Sequence, residues 1–277
     1  MQVDLQRCMK VAKHAAKEAG KIIKSLQHES KTTLSRKDDK SPVTAADKEA
    51  EQKIRSIIAK NFPLHGIIGE EFPPLRGRSN YTWIGDAIDG TWSYLNGEKT
   101  VATSLALCVK RHAAWNVLLS IIYNPFTNEM YTAGEGFQPK VNNKLLKTRA
   151  ENKPGKTIVN FQITRSQQSD IAKLYELWRN KKIDKLISTG GSISYNFAKI
   201  AEGVQSSYIL NAKNPLELWD SLAGMYLVKS VGGKVTTVAG KDFEQEKKSR
   251  TLIASKNNSQ HQQILSLLAE INFGKEQ

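Results

Sequence analysis

The sequence predicts two structural halves, an α+β half followed by an α/β half. In residues 4–27, apolar side chains recur at three- and four-residue steps, which is typical of an amphipathic helix with one buried face. A second helix is predicted over residues 44–61, and Phe62 and Pro63 end it. Short apolar runs separated by turn residues follow, and beyond residue 156 strands and helices are expected to alternate. Such alternation is typical of a three-layer α/β arrangement.

The individual elements are predicted from the hydrophobic period and from turn residues. In the first half we expect a loop at residues 30–42 and strands at 65–69, 81–85, 101–109, 115–123 and 129–133. In the second half we expect strands at residues 157–162, 186–189, 207–210, 234–238 and 251–254, and helices at 169–181, 192–202, 221–231 and 260–271. The polar segment 151–156 separates the two patterns. We therefore predict an N-terminal α+β domain over residues 1–152 and a C-terminal α/β domain over residues 153–277.

Cysteine content and hydropathy exclude several classes of protein. Cys8 and Cys108 lie far apart in apolar patterns, so we expect neither a disulfide framework nor a zinc site, and a reducing compartment fits best. No run approaches the ~20 apolar residues of a membrane span, and the first residues lack the features of a signal peptide. The five histidines show no ligand spacing, which disfavours a zinc hydrolase. We predict a cytoplasmic protein that does not bind a membrane.

The chain carries a formal net charge of +14, which is compatible with anionic partners. Its lysines are spread along the whole sequence, and no basic motif with interleaved aromatic residues is present. A solvated basic surface is the simplest interpretation, and long-range attraction of a phosphate substrate is compatible with it. Nucleic-acid binding is therefore not the leading prediction.

The segment from Trp83 to Thr91 contains two acidic residues that point to metal chemistry. An apolar strand delivers Asp86 to its end, and Asp89 follows three residues later, across a turn that Gly90 favours. A short helix after Gly90 would present free backbone N–H groups, which bind phosphate well. The competing interpretation is local: Asp89 and Gly90 form only a turn, and Asp86 is a cap.

Two further acidic positions are candidates. Glu70 and Glu71 follow the strand predicted at residues 65–69, and at most one of them is expected to reach a given site. Asp220 lies where an apolar helix is predicted to begin. Taken singly, Glu70 and Glu71 are most simply interpreted as exposed charged residues of a loop, and Asp220 as a helix N-cap. An N-cap residue can also bind a metal ion.

Electrostatics links these acidic residues. If the carboxylates converge to ~5 Å, each like-charged pair costs about 3 kcal/mol at an effective dielectric of ~20. Such a cluster requires protons or cations, and all-oxygen ligands favour Mg²⁺ or Mn²⁺ over zinc. Two ions ~4 Å apart stabilise both the attacking and the leaving oxygen of an in-line displacement at phosphorus.

Together the segments resemble the inositol monophosphatase family of magnesium-dependent, lithium-sensitive phosphatases. The matching segments are residues 69–71, 86–91, 219–224 and 232–233, with weaker matches at 42–47, 122–125 and 142–144. They occur in the order of the family from about residue 37 to residue 238. The resemblance implies a layered α/β/α/β/α sandwich of the sugar-phosphatase type, hydrolysis of a small soluble phosphate monoester, lithium inhibition and a homodimer.

The resemblance also implies a set of metal ligands. Glu70, Asp86 and the carbonyl of Ile88 would bind one Mg²⁺ ion, and Asp86, Asp89 and Asp220 would bind a second. A third, weaker ion is expected in some members, and Mn²⁺ is expected to substitute for Mg²⁺. Most ligands would then lie in the N-terminal domain, while Asp220 and the substrate-recognition loops would lie in the C-terminal domain.

Other positions acquire catalytic and substrate-binding roles from the same resemblance. Glu70 and Thr91 would orient the attacking water, and Asp47 would support Thr91 or a water of the third ion. The N–H groups of Gly90 and Thr91 would hold the phosphate. The predicted substrate contacts are Asp89, Gly90, Thr91, Ser192 and Glu217.

Three departures from the family pattern bear on the substrate. Ala87 replaces a usual proline, which removes no ligand. Residues 92–94 are Trp-Ser-Tyr where a run like Thr-Asn-Phe is commoner, and segment 211–218, where inositol-specific members carry an acidic sugar contact, is longer here. Glu217 is the candidate for that acid.

Several substrates therefore remain open. Inositol 1-phosphate or a similar polyol phosphate is the leading prediction. A 3′(2′),5′-bisphosphate nucleotide is the near alternative. It is favoured by the sequence Ser-Pro-Val-Thr-Ala-Ala-Asp at residues 41–47, by the position of Glu217 just before Leu218, and by a basic charge that suits a doubly phosphorylated ligand. Fructose 1,6-bisphosphate and histidinol phosphate are further options. A basic RNA-associated protein on a phosphatase scaffold is the alternative from another class, because a fold alone does not fix a function.

Overall fold

The computed structural model describes residues 3–27, 35–36, 42–111, 114–146, 157–163, 168–212, 214–243 and 249–274. The chain forms two compact units. The first comprises residues 1–145 with the short segments 191–195 and 218–227, and the second comprises residues 146–190, 196–217 and 228–277. The predicted boundary between residues 152 and 153 lies outside the described residues. Asp220, which we expected in a C-terminal domain, belongs to the first unit.

The first unit combines helices with an extended sheet. Its helices are α1 (Leu5–Leu26), α2 (Ala45–Asn61) and the short α3 (Thr91–Leu95). Its strands are β1 (Ser35–Arg36), β2 (Pro42–Val43), β3 (Gly66–Ile68), β4 (Tyr81–Asp89), β5 (Ala102–Arg111), β6 (Ala114–Asn124), β7 (Glu129–Gly134), β8 (Phe137–Val141) and β9 (Lys144–Leu145). Strands β3 to β9 form one sheet in sequence order, antiparallel except for the parallel pair β3 and β4.

Helix α1 packs closely because its buried face is built from small residues. Asp4 caps its start by accepting a hydrogen bond from the Arg7 N–H at 3.0 Å. At Gly20 a Cβ atom would lie only 2.6 Å from the Tyr123 ring, so only glycine lets helix and sheet approach this closely. The largest side chains of this core include Trp83 and Leu107, both fully buried. A hydrophobic core thus supports the strand β4.

The second unit contains a five-stranded mixed sheet and helices. In chain order it contains β10 (Ile158–Ile163), α4 (Gln168–Arg179), β11 (Lys185–Ile187), most of α5 (Ile193–Ala201), β12 (Ser207–Asn211), only the last turn of α6 (Leu218–Ser230), β13 (Lys234–Thr236), β14 (Thr251–Ser255) and α7 (Asn258–Glu270). Helices α5 and α6 each begin in segments that belong to the first unit. The strand order is β11-β10-β12-β14-β13, with β10 parallel to both neighbours and β14 antiparallel to both of its own.

Most predicted elements are confirmed, with ends shifted by a few residues. The sequence prediction missed β8 and β9, and it began α6 at residue 221 instead of Leu218. Most of the predicted loop at residues 30–42 lies outside the described residues, and its described parts form the paired strands β1 and β2. None of the helices in the described ranges has the length and apolar character of a membrane span.

Candidate active site

Strand β4 carries Asp86 and Asp89 into the interior of the first unit. Asp86 lies opposite Ser104 of β5 and Asp89 opposite Ala102, and the register shifts between them. The two aspartates are only 5 % and 4 % exposed. Asp86 Oδ1 accepts a hydrogen bond from the Ile88 N–H at 2.9 Å, so the predicted local capping role exists as well. The irregular register makes room for two buried carboxylates on one strand end.

Asp86 is the electrostatic centre of the site. Burial raises its pKa well above the ordinary value, and the negative charges of Glu70, Asp89, Asp220 and Asp47 raise it further. Carboxylates that are far apart in sequence therefore act on one buried side chain. This is the convergence that the sequence predicts, and it is all contained in the first unit.

The start of helix α6 is anchored next to Asp86 by hydroxyl groups of the sheet. Ser104, the cross-strand partner of Asp86, donates to the carbonyl of Trp219 at 2.9 Å. Ser120 of β6 donates to the carbonyl of Ala223 at 2.7 Å. Because α6 begins at Leu218, Asp220 lies within the first turn, and the N-cap interpretation of Asp220 was wrong. An anionic side chain is favoured in this first turn.

Asp89 binds the first residues of helix α5. Its Oδ2 accepts hydrogen bonds from the Ser192 hydroxyl at 2.8 Å and from the N–H and hydroxyl of Ser194 at 2.7 and 2.5 Å. Its Oδ1 accepts from the Ile193 N–H at 3.0 Å. Burial raises the pKa of Asp89, and the donors from Ser194, Ser192 and Ile193 counteract this rise. Oδ2 is therefore held by three donors, whereas Oδ1 accepts one hydrogen bond and keeps most of its acceptor capacity.

Thr91 connects the carbonyl of Ile88 to Asp47 of helix α2. Its hydroxyl lies 3.3 Å from Asp47 Oδ1 and 3.3 Å from the Ile88 carbonyl oxygen. Asp47 Oδ2 in turn accepts from the N–H and hydroxyl of Thr44 at 2.7 and 2.6 Å, which completes a capping box at the start of α2. The predicted pair of Asp47 and Thr91 is therefore brought together.

Gly90 adopts a left-handed conformation with φ of 96°. A Cβ atom there would lie 2.8 Å from the Ser192 nitrogen and 3.0 Å from the Thr100 carbonyl oxygen. Both the conformation and the close approach require glycine. The turn after Asp89 is thus fixed against the segment that binds Asp89.

The two predicted substrate contacts Ser192 and Glu217 lie in different settings. Ser192 is 1 % exposed, and besides donating to Asp89 its hydroxyl accepts from the Tyr195 N–H at 2.9 Å. Glu217 is exposed and belongs to the second unit. The sequence reasoning missed Ser194 and the Ile193 N–H. Ser192 and Ser194, at the start of an apolar helix, indicate a local helix cap in the sequence. They do not indicate that their hydroxyl groups bind Asp89, about 100 residues away.

The donor chemistry of the site fits hard divalent cations. In the ranges that the structure describes, no group of three or more His, Cys, Asp and Glu side chains is already arranged to hold a metal ion. However, the neighbouring charges that raise the pKa of Asp86, after burial itself, come from carboxylates alone. A set of oxygen donors with excess negative charge matches Mg²⁺ or Mn²⁺.

Buried carboxylates at the end of a sheet strand, with donor chemistry suited to divalent cations, are compatible with phosphate-ester hydrolysis. The family model for the inositol monophosphatase family matches residues 4–272, and the chain belongs to this family. Its members are phosphatases that hydrolyse phosphate monoesters, and they are generally Mg²⁺-dependent. The resemblance predicted from the sequence motifs is confirmed.

Individual relatives carry several different names. The chain is 28 % identical to a fructose-1,6-bisphosphatase/inositol-1-monophosphatase of Aquifex aeolicus, over 87 % of this chain and 89 % of that protein. It is 29 % identical to an inositol-1-monophosphatase of Bacillus subtilis, with 84 % and 86 % covered. It is 27 % identical to a Nus factor SuhB of Pasteurella multocida, with 84 % and 85 % covered.

Solved structures agree on the fold. The SuhB protein of Bartonella henselae matches with a TM-score of 0.82 and 24 % identity, covering 97 % of this chain and 100 % of that chain. An inositol monophosphatase of Thermotoga maritima matches with a TM-score of 0.80 and 24 % identity, covering 97 % and 98 %. The predicted layered fold class is thereby confirmed.

Proposed function

We propose that this phosphatase is Mg²⁺-dependent and hydrolyses a small soluble phosphate monoester, with inositol 1-phosphate or a similar polyol phosphate as the leading substrate. The proposal rests on the surroundings of Asp86. Asp86 is a buried carboxylate whose pKa is raised by burial and by four neighbouring acidic side chains. Such an arrangement is costly unless a cation is bound, and in a phosphatase the cation has a chemical task.

The proposed metal ligands are those that the family resemblance implies. Glu70, Asp86 and the Ile88 carbonyl would hold one Mg²⁺ ion, and Asp86, Asp89 and Asp220 would hold a second. When bound, the ions neutralise the phosphate and the charge that develops during attack by water. Asp86 would be shared by both ions, which agrees with its place at the electrostatic centre.

Thr91 and Glu70 would orient the attacking water. The Thr91 hydroxyl has one hydrogen, which it donates to Asp47 Oδ1 or to the Ile88 carbonyl oxygen, each 3.3 Å away. Its lone pairs then face outward and can accept a hydrogen bond from water, and Glu70 would accept the proton that the water loses. Asp47 would act through Thr91 by fixing the direction of its hydroxyl.

The substrate phosphate would be held by backbone N–H groups of Gly90 and Thr91. Asp89 would accept a hydrogen bond from a substrate hydroxyl through its less occupied Oδ1. Ser192 would act indirectly, because its hydroxyl already donates to Asp89. Glu217 stays the candidate for a polar contact to the leaving group.

The substrate is tested by phosphate release from a panel. Inositol phosphates, adenosine 3′,5′-bisphosphate, fructose 1,6-bisphosphate and histidinol phosphate are compared in Mg²⁺, in Mn²⁺ and after chelation. We expect turnover that chelation abolishes and that is highest with a polyol phosphate. Highest turnover with the bisphosphate nucleotide would instead establish the near alternative, whose metal chemistry is the same. Turnover that survives complete removal of divalent ions would contradict the proposal.

Three further properties belong to the same proposal. The family resemblance supports a homodimer and inhibition by lithium. Cys8 and Cys108 are both buried and free, which supports a reducing compartment, the cytoplasm. Sedimentation of the purified protein and phosphate release in a lithium series test the first two.

A second candidate function is an RNA-associated role on the phosphatase scaffold. Its support is the net charge of +14 together with relatives named Nus factor SuhB. Binding of a single-stranded RNA at physiological salt, measured for the wild type and for a variant without phosphatase activity, tests it. Equal, salt-resistant binding by both proteins would support this role, and failure to bind would exclude it.

A further inference from the structure

We propose that Arg55 and Glu51 of helix α2 are positioning residues that fix the backbone on both sides of Glu70. The inference rests on the proposed function, in which Glu70 holds a Mg²⁺ ion and orients water. Asp47, Glu51 and Arg55 are spaced four residues apart, so they form one stripe along α2. The first of them supports Thr91, and the next two hold the segment that carries Glu70.

The two residues form a largely buried ion pair between a buried glutamate and a partly exposed arginine. Arg55 Nε lies 2.7 Å from Glu51 Oε1, and the side chains are 16 % and 4 % exposed. Breaking a pair with this little exposure by removing one partner leaves an uncompensated charge. The pair is therefore a rigid element and differs from the solvent-exposed pairs of the surface, which hold little in place.

The guanidinium of Arg55 holds the chain after Glu70. Its Nη2 donates to the carbonyl of Phe72 at 2.9 Å, and its Nη1 donates to the carbonyl of Pro73 at 3.1 Å. The guanidinium carbon also lies 5.6 Å from the centre of the Phe72 ring, at cation–π distance. The planar guanidinium can bind Glu51 and two backbone carbonyls at the same time because its N–H groups point in three directions. A lysine ammonium at the same place lacks this planar arrangement of donors.

The carboxylate of Glu51 holds the chain immediately around Glu70. Its Oε2 accepts from the N–H of Glu71 at 2.7 Å. At Gly69 a Cβ atom would lie 2.4 Å from Glu51 Oε1, so the backbone just before Glu70 packs directly against the same carboxylate. The residues on each side of Glu70 are thus fixed by one side chain, and that side chain is fixed by Arg55.

This arrangement explains how a segment without regular secondary structure can present a catalytic carboxylate. Strand β3 ends at Ile68, and no helix or strand covers residues 69–73. An error of ~1 Å in the position of a catalytic group can reduce turnover ~100-fold. The stripe on α2 supplies the rigidity that the local chain lacks.

The test compares Arg55→Gln and Arg55→Lys with the matched control Arg7→Gln. Arg7 is another arginine that lies over a phenylalanine, 5.3 Å from the Phe62 ring, and donates to a backbone carbonyl, that of Asn61 at 3.2 Å. These two partners, Asn61 and Phe62, lie outside the segment 69–73 that carries Glu70. For each protein we would measure Mg²⁺ binding by calorimetry, the Mg²⁺ dependence of phosphate release, kcat and KM, and the thermal unfolding midpoint.

We expect Arg55→Gln to weaken Mg²⁺ binding and to lower kcat, each by about tenfold or more, with KM for the substrate changed less than about threefold. Arg55→Lys should lie between the wild type and Arg55→Gln, and Arg7→Gln should match the wild type in Mg²⁺ binding. If Arg55→Gln does not fold, Arg55→Lys is judged by the same measurements. Mg²⁺ binding and kcat equal to those of Arg7→Gln would overturn the inference. Mg²⁺-independent turnover by the wild type would instead overturn the proposed function.

Discussion

The first unit buries carboxylates that repel one another, whereas the second unit buries a histidine with a partner at each ring nitrogen. Asp86 faces the charges of four other acidic residues, and its pKa is raised. His261 lies 2.9 Å from the Thr236 hydroxyl through Nε2 and 3.1 Å from the Ser255 hydroxyl through Nδ1. Burial, with a smaller contribution from Lys234, lowers the pKa of His261 to about 4.

The two groups illustrate the difference between a structural and a functional buried ionisable side chain. His261 is neutral and hydrogen-bonded, so it stabilises the fold as it stands. The acids around Asp86 are destabilising to one another in the absence of a cation, and a fold tolerates such a cost where a ligand compensates for it.

Asp89→Asn should have the largest effect. The amide cannot supply the charge that a Mg²⁺ ligand needs, and its NH₂ group would oppose the donors of Ser192 and Ser194. We expect phosphate release to fall about a thousandfold with the far-ultraviolet circular dichroism spectrum unchanged. The control is Asp242→Asn, an exposed aspartate of the second unit that should keep full activity. Near-normal turnover by Asp89→Asn would refute the two-metal assignment.

Thr91→Val should lower kcat by about a hundredfold, because the methyl group cannot orient water or donate to Asp47. Thr91→Ser keeps the hydroxyl and should recover most of the lost turnover. The pair of variants is compared at saturating Mg²⁺ and saturating substrate. Equal loss in the two variants would show that the hydroxyl has no part in the reaction.

Asp86→Asn should separate stability from activity. Because the folded pKa of Asp86 is raised, its contribution to stability is present below the ordinary value of 3.8 and is lost as pH rises through the raised pKa. At pH 8 without metal, the variant should therefore unfold about 3–6 °C above the wild type. It should also lose the stabilisation that Mg²⁺ gives to the wild type. A lower midpoint in the variant would mean that Asp86 is a structural residue.

His261 should produce the opposite dependence on pH. Its folded pKa is lowered, so its contribution to stability is present above the unfolded value of 6.5 and is lost as pH falls from there toward about 4. The thermal unfolding midpoint of the wild type should decrease as the pH falls through this window. In His261→Gln we expect this decrease to be smaller by a few degrees. The exposed His14, changed to Gln, serves as the control. Identical slopes for the two variants would contradict the assignment of a neutral buried His261.

Most of the fold was predictable because it depends on local periodicity. The three- and four-residue repeat gave α1 and α2 within a residue or two, and alternating apolar runs gave the central strands. β8 was missed because Phe137–Val141 carries polar residues and is only half buried. The start of α6 was misplaced because Leu218 and Trp219 precede the acidic residue that looked like a cap.

The site was predictable in its residue types but not in its contacts. Asp86, Asp89, Glu70 and Asp220 stood out as acids beside apolar elements, and the motif order connected them to a family. The bonds from Ser192 and Ser194 to Asp89 span more than 100 residues, and no local pattern reports such a pairing. The same holds for Arg55, whose carbonyl partners lie 17 and 18 residues away in a segment without regular structure.

The most direct test of the metal site is the anomalous scattering of Mn²⁺ in crystals of this protein. We predict at least two Mn²⁺ peaks with Asp86 as a shared ligand, one also bound by Glu70 and the other by Asp89 and Asp220. Crystals saturated with Mn²⁺ that show no peak at Asp86, or peaks only at other acidic residues, would contradict this prediction.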